Sequence, residues 1–307
     1  MGVSTSRSFV AGTRSIVAPA EREVIDAALR WVCDRYVADL RGPVAEAIRY
    51  SLMGEGKRLR ARLLIEACSA AGGSDQPMEL AAAVEVVHAY SLIHDDLPCM
   101  DDDDMRRGRP TVHRVYGVAT ATAAGLAMVP LAARCAFNGG RAVGLTDAEA
   151  GALVATLMHA AGAGGMIGGQ VLDLEGEGTA LGLEELERIH HAKTGQLIRA
   201  AVRLGGMAAR APADRIEALD CYGRAIGLAF QIADDLLDET ATSVEIGKTA
   251  GRDRALRKST YPALLGVEGS RRRAAALVDE GCAALRSAGL LTPNFEGLAR
   301  YIVERRS

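Results

Sequence analysis

The sequence has 307 residues, of which 49% are hydrophobic, 24% are charged and only 4% are aromatic. This balance is typical of a soluble globular protein and excludes intrinsic disorder, collagen-like repeats and a small disulfide scaffold. A formal net charge of −3 and a pI near 6.1 argue against a dedicated nucleic-acid-binding protein, which usually has a basic excess.

Helical periodicity dominates the chain from Glu21 onwards, with apolar residues recurring at three- and four-residue intervals. The sequence has no alternating β-strand of useful length, no internal repeat and no linker rich in Pro, Gly or Ser. We therefore predict one all-α domain over residues 21–307, a bundle of about ten or more helices, preceded by a polar tail over residues 1–20. After the first helix, the predicted helices cover residues 43–54, 59–71, 78–97, 112–137, 146–174, 183–208, 213–238, 255–287 and 293–305.

Two long stretches, residues 117–133 and 151–172, contain no Asp, Glu, Lys or Arg. A membrane span needs about 20 strongly apolar residues, whereas these stretches are diluted by Ala, Gly and Thr. Buried helices at the centre of a large bundle explain them better, so we predict no membrane span. The six cysteines form neither a CxxC pair nor a Cys–His metal spacing, which favours reduced thiols in the cytoplasm.

The densest charge lies at residues 95–109, where six aspartates fall within ten residues and three arginines follow. Asp95 and Asp96 come directly after an apolar segment, which places them at the end of a buried helix. Asp95 and Asp101 are six residues apart, about 240° around an ideal helix, so Pro98 must mark a bend or the helix end. This geometry leaves open which of residues 101–104 would bind a metal ion together with Asp95.

A second acidic cluster follows 139 residues later, around Asp234, Asp235 and Asp238. Asp234 and Asp238 are four residues apart and therefore share one helix face, about 40° from each other. Mg²⁺ prefers carboxylate oxygens and is often held by one or two carboxylates together with substrate phosphates. Two such clusters facing each other would hold several Mg²⁺ ions and, through them, a diphosphate.

Basic residues for the phosphate oxygens are also present. Gly56-Lys57-Arg58-Leu59-Arg60 lies at a predicted turn into a helix, where backbone N–H groups favour anions. Lys57 and Arg60 are three residues apart and could converge. Each basic residue alone would be interpreted as a surface charge, but their joint presence beside two acidic clusters favours a phosphate-binding role. The further candidates are Arg106, Arg107, Lys193, Lys248 and Lys258.

The order of these motifs resembles that of the trans-isoprenyl diphosphate synthases in the polyprenyl synthetase family, close to bacterial farnesyl and type II geranylgeranyl diphosphate synthases. The resemblance spans residues 40–305 and implies that the helices surround a deep central cavity. The matching segments are Gly56-Lys57-Arg58 with Arg60, His88 to Asp101, Arg106 to Thr111, Gly168-Gly169-Gln170 with Asp173, Lys193-Thr194-Gly195, Phe230-Gln231 with Asp234, Asp235 and Asp238, Gly247-Lys248, and Lys258 with Thr260, Tyr261 and Pro262.

The resemblance implies a role for most of these residues. Two Mg²⁺ ions would be held by Asp95 and Asp101, with Asp96 assisting, and a third by Asp234, with Asp235 and Asp238 nearby. The allylic diphosphate would bind these ions together with Arg106, Lys193, Gln231, Lys248 and Lys258, with Thr194 near the reacting carbons. Isopentenyl diphosphate would bind Gly56, Lys57, Arg60, His88 and Arg107. The resemblance also implies a homodimer.

The implied reaction is condensation of isopentenyl diphosphate with an allylic diphosphate such as dimethylallyl or geranyl diphosphate. In this family the residue five before the first aspartate sets the floor of the prenyl pocket, and here it is Tyr90, followed by Ser91. A large aromatic residue at this position resembles enzymes that make farnesyl diphosphate. Geranylgeranyl diphosphate is the alternative main product.

Three alternatives from other classes remain open at this stage. A di-iron carboxylate bundle would use the Glu-x-x-His steps from Glu85 to His88 and from Glu187 to His190. It would leave both aspartate clusters unused. A class I terpene cyclase would share one Asp-rich motif but would not need a second diphosphate site. A non-catalytic partner subunit would be expected to lack metal-binding aspartates, whereas both clusters are complete here.

Overall fold

The computed structural model describes residues 19–73, 76–240 and 258–304, and almost all regular structure in these ranges is helical. The predicted all-α class is confirmed. The helices are α1 (Pro19–Tyr36), α2 (Pro43–Leu52), α3 (Leu59–Ala70), α4 (Met78–Asp95), α5 (Val112–Tyr116), α6 (Val118–Ala142), α7 (Asp147–Ala161), α8 (Met166–Glu175), α9 (Leu183–His190), α10 (Gln196–Ala208), α11 (Ala213–Thr240), α12 (Tyr261–Ser287) and α13 (Pro293–Glu304). A π-helical turn, His191–Gly195, joins α9 to α10.

The loop after α4 contains the described β-structure, an antiparallel pair of two-residue strands, β1 (Met105–Arg106) and β2 (Arg109–Pro110). Most of the predicted tail lies outside the described residues, and α1 begins at Pro19, within its last two positions. Lys248 also lies outside the described residues.

Glycines split two of the predicted helices. The helix expected over 112–137 is interrupted at Gly117, whose φ of 84° separates α5 from α6. The helix expected over 146–174 ends at Ala161 and resumes at Met166. A side chain at Gly165 would place its Cβ 2.2 Å from the carbonyl oxygen of Ala160, so this connection requires glycine.

Two hydrophobic clusters form the core. The first is centred on α4 and α6 and includes residues of α1, α2 and α7, whereas the second is centred on α11, α12 and α13. Helices α3 and α10 contribute to both, because Leu64 and Leu204 point into the first cluster and Leu63 and Val202 into the second. The π turn at the start of α10 therefore lies where the two clusters meet.

The two uncharged stretches bury only one of their faces. On α6, Ala121, Ala124 and Met128 are fully buried, whereas Leu126 is 62% exposed. By length and composition alone, residues Val118–Ala142 and Asp147–Glu175 could each cross a membrane. However, the second segment is broken between α7 and α8, and about a third or more of each segment is buried against the rest of the protein. The prediction of buried helices at the centre of the bundle is therefore correct for the inner faces of these helices and wrong for their outer faces.

Candidate active site

The aspartate-rich loop folds back onto the end of α4. The backbone N–H of Asp101 donates to the carbonyl oxygen of Asp95 at 2.8 Å, and that of Asp103 donates to the carbonyl of Asp96 at 3.3 Å. Asp102 makes the turn possible with a left-handed φ of 50° and is exposed. The helix ends at Asp95, as the Pro98 argument required. Of the four later aspartates, Asp101 is the one whose backbone is bonded directly to Asp95.

Burial and mutual repulsion make the first cluster unfavourable without a cation. Burial, with smaller contributions from Asp101 and Asp96, raises the pKa of the Asp95 carboxyl to about 6 against the opposing charges of Lys193 and Arg106. Asp96 has a different environment. Its side chain is 3% exposed and its Oδ1 accepts a 2.6 Å hydrogen bond from Nε of Arg106. Asp96 therefore holds Arg106 in place.

Asp173 on α8 draws two lysines together. Its Oδ2 accepts hydrogen bonds from Nζ of Lys193 at 2.7 Å and from Nζ of Lys258 at 2.9 Å. Burial alone would raise the pKa of Asp173, but the two lysines lower it to about 2. Lys193 also lowers the pKa of Asp95, so the lysine pair faces the first cluster. The sequence motif includes Asp173, but sequence reasoning gave it no role.

Lys193 and Thr194 lie on the π turn, and π-helical segments are frequent at functional sites. Two glycines let neighbouring helices approach it closely. A Cβ at Gly169 of α8 would lie 2.1 Å from the backbone nitrogen of Lys193, and a Cβ at Gly227 of α11 would lie 2.7 Å from Cα of Gly195. The turn is therefore clamped between α8 and α11.

The second cluster joins the π turn through a chain of hydrogen bonds. The Thr194 hydroxyl donates to Oε1 of Gln231 at 2.9 Å, and Nε2 of Gln231 donates to Oδ1 of Asp235 at 3.1 Å. Oδ2 of Asp235 accepts the backbone N–H of Tyr261 at 3.0 Å and lies 3.4 Å from Nε2 of His190. Asp235 is 4% exposed, and both its oxygens are occupied.

The Asp235 carboxylate thus orients Gln231 and the start of α12. Its expected part in holding metal stays a prediction. Asp234, which precedes it, is half-buried, and Asp238 lies one turn later on the same face of α11 with 9% exposure. Asp234, with Asp235 and Asp238 nearby, stays the predicted site for a metal at this cluster.

The basic loop before α3 is anchored from inside the protein. Nη2 of Arg58 donates to the carbonyl oxygens of Leu52 and Gly54, both at 2.9 Å. Its Nε donates to Asp26 at 2.8 Å, and its Nη1 lies 3.7 Å from Glu85. Arg58 is only 7% exposed, although its φ is 48°. Such strained residues persist only when their surroundings fix them.

Several cations surround His88 next to this loop. Burial first, and then the charges of Arg60, Arg107, Arg106 and Arg58, hold the pKa of His88 well below its ordinary value. The imidazole is therefore neutral at pH 7 and lies in a strongly positive environment, as an anion site requires.

Gly56 and Arg107 meet in the same region. Nη1 of Arg107 donates to the carbonyl of Glu55 at 2.5 Å, and a Cβ at Gly56 would lie 2.7 Å from that Nη1. Lys57 is exposed, with its Nζ 5.8 Å from the ring centre of Tyr301 on α13. The structure thus brings Gly56, Lys57, Arg60, His88 and Arg107 into one neighbourhood.

Tyr90 lies just over one turn before Asp95 on α4 and is 4% exposed. Its hydroxyl donates to the carbonyl of Ala161 at the end of α7 over 3.4 Å. Burial, with a smaller contribution from Asp95, raises the pKa of Tyr90 to about 12. Ser91 bonds within its own helix, to the carbonyl of His88 at 2.9 Å.

The donor set suits Mg²⁺ held jointly with phosphate. In the described parts of the chain, no three His, Cys, Asp or Glu side chains converge closely enough to hold a metal by themselves. Mg²⁺ commonly uses one or two carboxylates, with waters and substrate phosphates completing its shell. Gln170, 8% exposed and on the Asp173 face of α8, has no partner for either amide atom among the described residues.

The di-iron alternative does not match this arrangement. Glu85 is 4% exposed, lies against Arg58 and accepts the backbone N–H of Ala61 at 3.2 Å. Glu187 accepts a 2.8 Å hydrogen bond from the hydroxyl of Tyr261 and lies 3.3 Å from Arg273. Both glutamates are thus committed to hydrogen bonds and ion pairs.

Comparison with known proteins agrees with this geometry. The polyprenyl synthetase family model matches residues 42–283. Farnesyl diphosphate synthase of Escherichia coli is 45% identical over 279 residues, which cover 88% of this chain and 93% of that protein. A crystal structure of an FPP/GFPP synthase from Zymomonas mobilis superimposes with a TM-score of 0.80 at 35% identity, covering 92% of this chain and 97% of the other.

A second structural relative was solved with ligands. Geranyltransferase from Helicobacter pylori, complexed with magnesium and isoprenyl diphosphate, gives a TM-score of 0.75 at 29% identity, covering 94% of this chain and 98% of the other. The helical fold, the two aspartate clusters and these similarities lead to one conclusion: the chain belongs to the polyprenyl synthetase family and is a short-chain trans-prenyltransferase.

Proposed function

We propose that this enzyme condenses isopentenyl diphosphate with dimethylallyl and geranyl diphosphate in a Mg²⁺-dependent reaction whose main product is farnesyl diphosphate. The observation that carries the proposal is the pair of chemically different anion sites. One combines carboxylates with lysines around the π turn, and the other groups Arg60 and Arg107 around His88. Arg106, which is bonded to Asp96, contributes positive charge to both. Two different sites suit two diphosphates that must react in different ways.

The first site is assigned to the allylic diphosphate. Asp95 and Asp101, with Asp96 acting through Arg106, would hold two Mg²⁺ ions, and Asp234 with Asp238 a third. The bound ions supply positive charge that stabilises the departing diphosphate. Lys193 and Lys258 are already drawn together by Asp173 on the same side, and Lys248 is expected to add a third amine.

The second site is assigned to isopentenyl diphosphate. Lys57, Arg60 and Arg107 would bind the diphosphate directly, while neutral His88 can donate one hydrogen bond without adding charge. Gly56 leaves room for the Arg107 guanidinium. Since this substrate keeps its diphosphate through the reaction, direct contact with fixed cations is sufficient.

The reaction follows from this division. The allylic C–O bond breaks, and its electron pair leaves with the diphosphate held near Lys193 and Arg106. The isopentenyl double bond then attacks the resulting allylic cation, and a proton is lost to the released diphosphate. Thr194 and Gln231, fixed to each other at 2.9 Å, lie at the π turn beside the leaving group. The surrounding apolar helices exclude water that would otherwise convert the cation to an alcohol.

Variants that separate the two sites test this assignment. We expect Lys57→Ala to raise the KM for isopentenyl diphosphate at least tenfold with little change in the KM for geranyl diphosphate. Asp101→Ala should instead lower kcat steeply and raise the Mg²⁺ concentration that the residual turnover requires. If both variants raised the two KM values equally, the separate assignment of the sites would be wrong.

The proposed product length depends on Tyr90, whose ring would stop a fifteen-carbon chain. Tyr90→Ala should then shift the products towards twenty carbons. Geranylgeranyl diphosphate as the main product of the unmodified enzyme would keep the reaction class and contradict the role of Tyr90.

We further propose a cytoplasmic homodimer. Free thiols on all six cysteines suit a reducing compartment. Exposed apolar side chains on α6 and α8, including Leu126 at 62% and Val171 at 48%, suit an interface between copies. Leu126→Glu should lower the mass measured by light scattering to that of a monomer, whereas Val24→Glu, at an exposed position on α1, should not.

A further inference from the structure

His94 lies one helical turn after Tyr90 and packs against it. The ring centroids are 5.8 Å apart and the ring planes meet at 80°, an edge-to-face arrangement. Residues four apart on a helix share a face, so the two rings project from the same side of α4. The sequence motif includes His94, but neither anion site uses it.

The imidazole of His94 is fixed against α6. Its Nε2 lies 3.2 Å from the carbonyl oxygen of Thr122, and because a carbonyl can only accept, Nε2 carries the proton. One turn later, a Cβ at Gly125 would lie 2.1 Å from Nε2 and 2.5 Å from Cδ2. Only glycine at this position leaves room for the ring.

The other contact that restrains the Tyr90 ring is the long 3.4 Å hydrogen bond from its hydroxyl to the carbonyl of Ala161. The His94 ring therefore supplies a second restraint on the Tyr90 ring, from the α6 side. We propose that His94, seated against Gly125, positions the Tyr90 ring and thereby helps to set product length. This inference rests on the proposed role of Tyr90 as the floor of the prenyl pocket.

Removing the imidazole should deepen the pocket. In His94→Ala the Tyr90 ring loses its neighbour and can turn into the vacated space, so the next five-carbon unit can be accommodated. Since an aromatic pair contributes modestly, we expect about a two- to tenfold rise in the ratio of twenty-carbon to fifteen-carbon products. General loss of folded enzyme would lower the yield and leave this ratio unchanged.

A double-variant cycle tests whether His94 acts through Tyr90. Products of the unmodified enzyme, His94→Ala, Tyr90→Ala and the double variant are compared at equal conversion. We expect His94→Ala alone to raise the ratio of twenty-carbon to fifteen-carbon products. In the Tyr90→Ala background, the same substitution should not change this ratio further. An unchanged ratio in the single variant, or an equal further increase in the double variant, would overturn the proposal.

A matched pair of glycine variants provides an independent test. Gly125→Ala must displace the imidazole and should change the product ratio, whereas Gly151→Ala on α7, where a Cβ meets nothing within 4 Å, should not. If His94→Ala does not fold, the glycine pair still tests the proposal. His94→Asn, which loses the ring but retains an N–H donor near Thr122, then replaces His94→Ala in the double-variant cycle. Absence of condensation by the unmodified enzyme would refute the proposed function itself, a result distinct from unchanged product length.

Discussion

Replacing Arg58 with methionine should disturb the proposed isopentenyl diphosphate site, because Arg58 anchors the loop that carries Lys57. The guanidinium gives two hydrogen bonds to the carbonyls of Leu52 and Gly54 and one to Asp26, and it lies against Glu85, which is 4% exposed. Methionine fills much of the same volume but leaves these acceptors unpaired. Removing one partner of a buried ion pair costs about 3–5 kcal/mol. For a chain of this size we expect the Tm to fall by roughly 5–10 °C.

The functional effect should be specific to one substrate. The released loop carries Lys57, so Arg58→Met should raise the KM for isopentenyl diphosphate about tenfold and leave the KM for geranyl diphosphate nearly unchanged. Lys57→Ala should give the same change in KM without the loss in Tm. Adding Glu85→Gln to Arg58→Met should recover part of the stability, because a neutral amide replaces the buried carboxylate that has lost its partner.

Steady-state kinetics with each substrate varied in turn, together with thermal melts, measure these effects. An Arg58→Met variant with the Tm and the isopentenyl diphosphate KM of the unmodified enzyme would refute the anchoring argument. Equal increases in both KM values would show that the loop does not belong to one site.

Three further variants concern the proposed allylic site. The pKa of Asp95 is raised to about 6, so the folded chain binds a proton there more tightly than the unfolded chain does. The metal-free fold therefore loses stability as the pH rises from about 4 to 6. Asp95→Asn should raise the Tm of the metal-free protein at pH 8 and abolish turnover. Asp173, with a pKa lowered to about 2, contributes stability above pH 4 that is lost as the pH falls towards 2, and in acid titrations followed by circular dichroism Asp173→Asn should lack that loss. The same variant should raise the KM for geranyl diphosphate about tenfold, because Lys193 loses its anchor. Gly227→Ala should lower kcat with both substrates saturating, because its Cβ would displace the π turn, and an unchanged kcat would contradict the clamp.

The sequence predicts most of the helices because their apolar faces repeat with the helical period over long stretches. It does not predict the break at Gly117 or the one before Met166, since alanine-rich segments on either side continue the same pattern. Glycine alone does not signal a break, because Gly125 and Gly227 lie inside helices and serve close packing instead. Whether a glycine ends a helix or allows close packing depends on which backbone or ring lies opposite it. The tertiary structure decides this, and the local sequence does not.

The site residues illustrate a similar limit. Spacing alone left open which later aspartate would hold metal with Asp95, because a loop that folds back has no period. The structure brings the backbone of Asp101 against Asp95, and the metal-binding role of Asp101 stays a prediction. The motif also groups Asp235 with its neighbours, although its oxygens face Gln231 and Tyr261. Asp173 lacked a role because its partners, Lys193 and Lys258, are 20 and 85 residues away in the chain.

Product analysis of the purified enzyme tests the central claim most directly. The protein is incubated with Mg²⁺, isopentenyl diphosphate and dimethylallyl or geranyl diphosphate, and the dephosphorylated products are separated by chain length, with EDTA as the control. We predict farnesol as the main product from both primers and no condensation in EDTA. Failure to condense any primer in the presence of Mg²⁺ would contradict the proposed function.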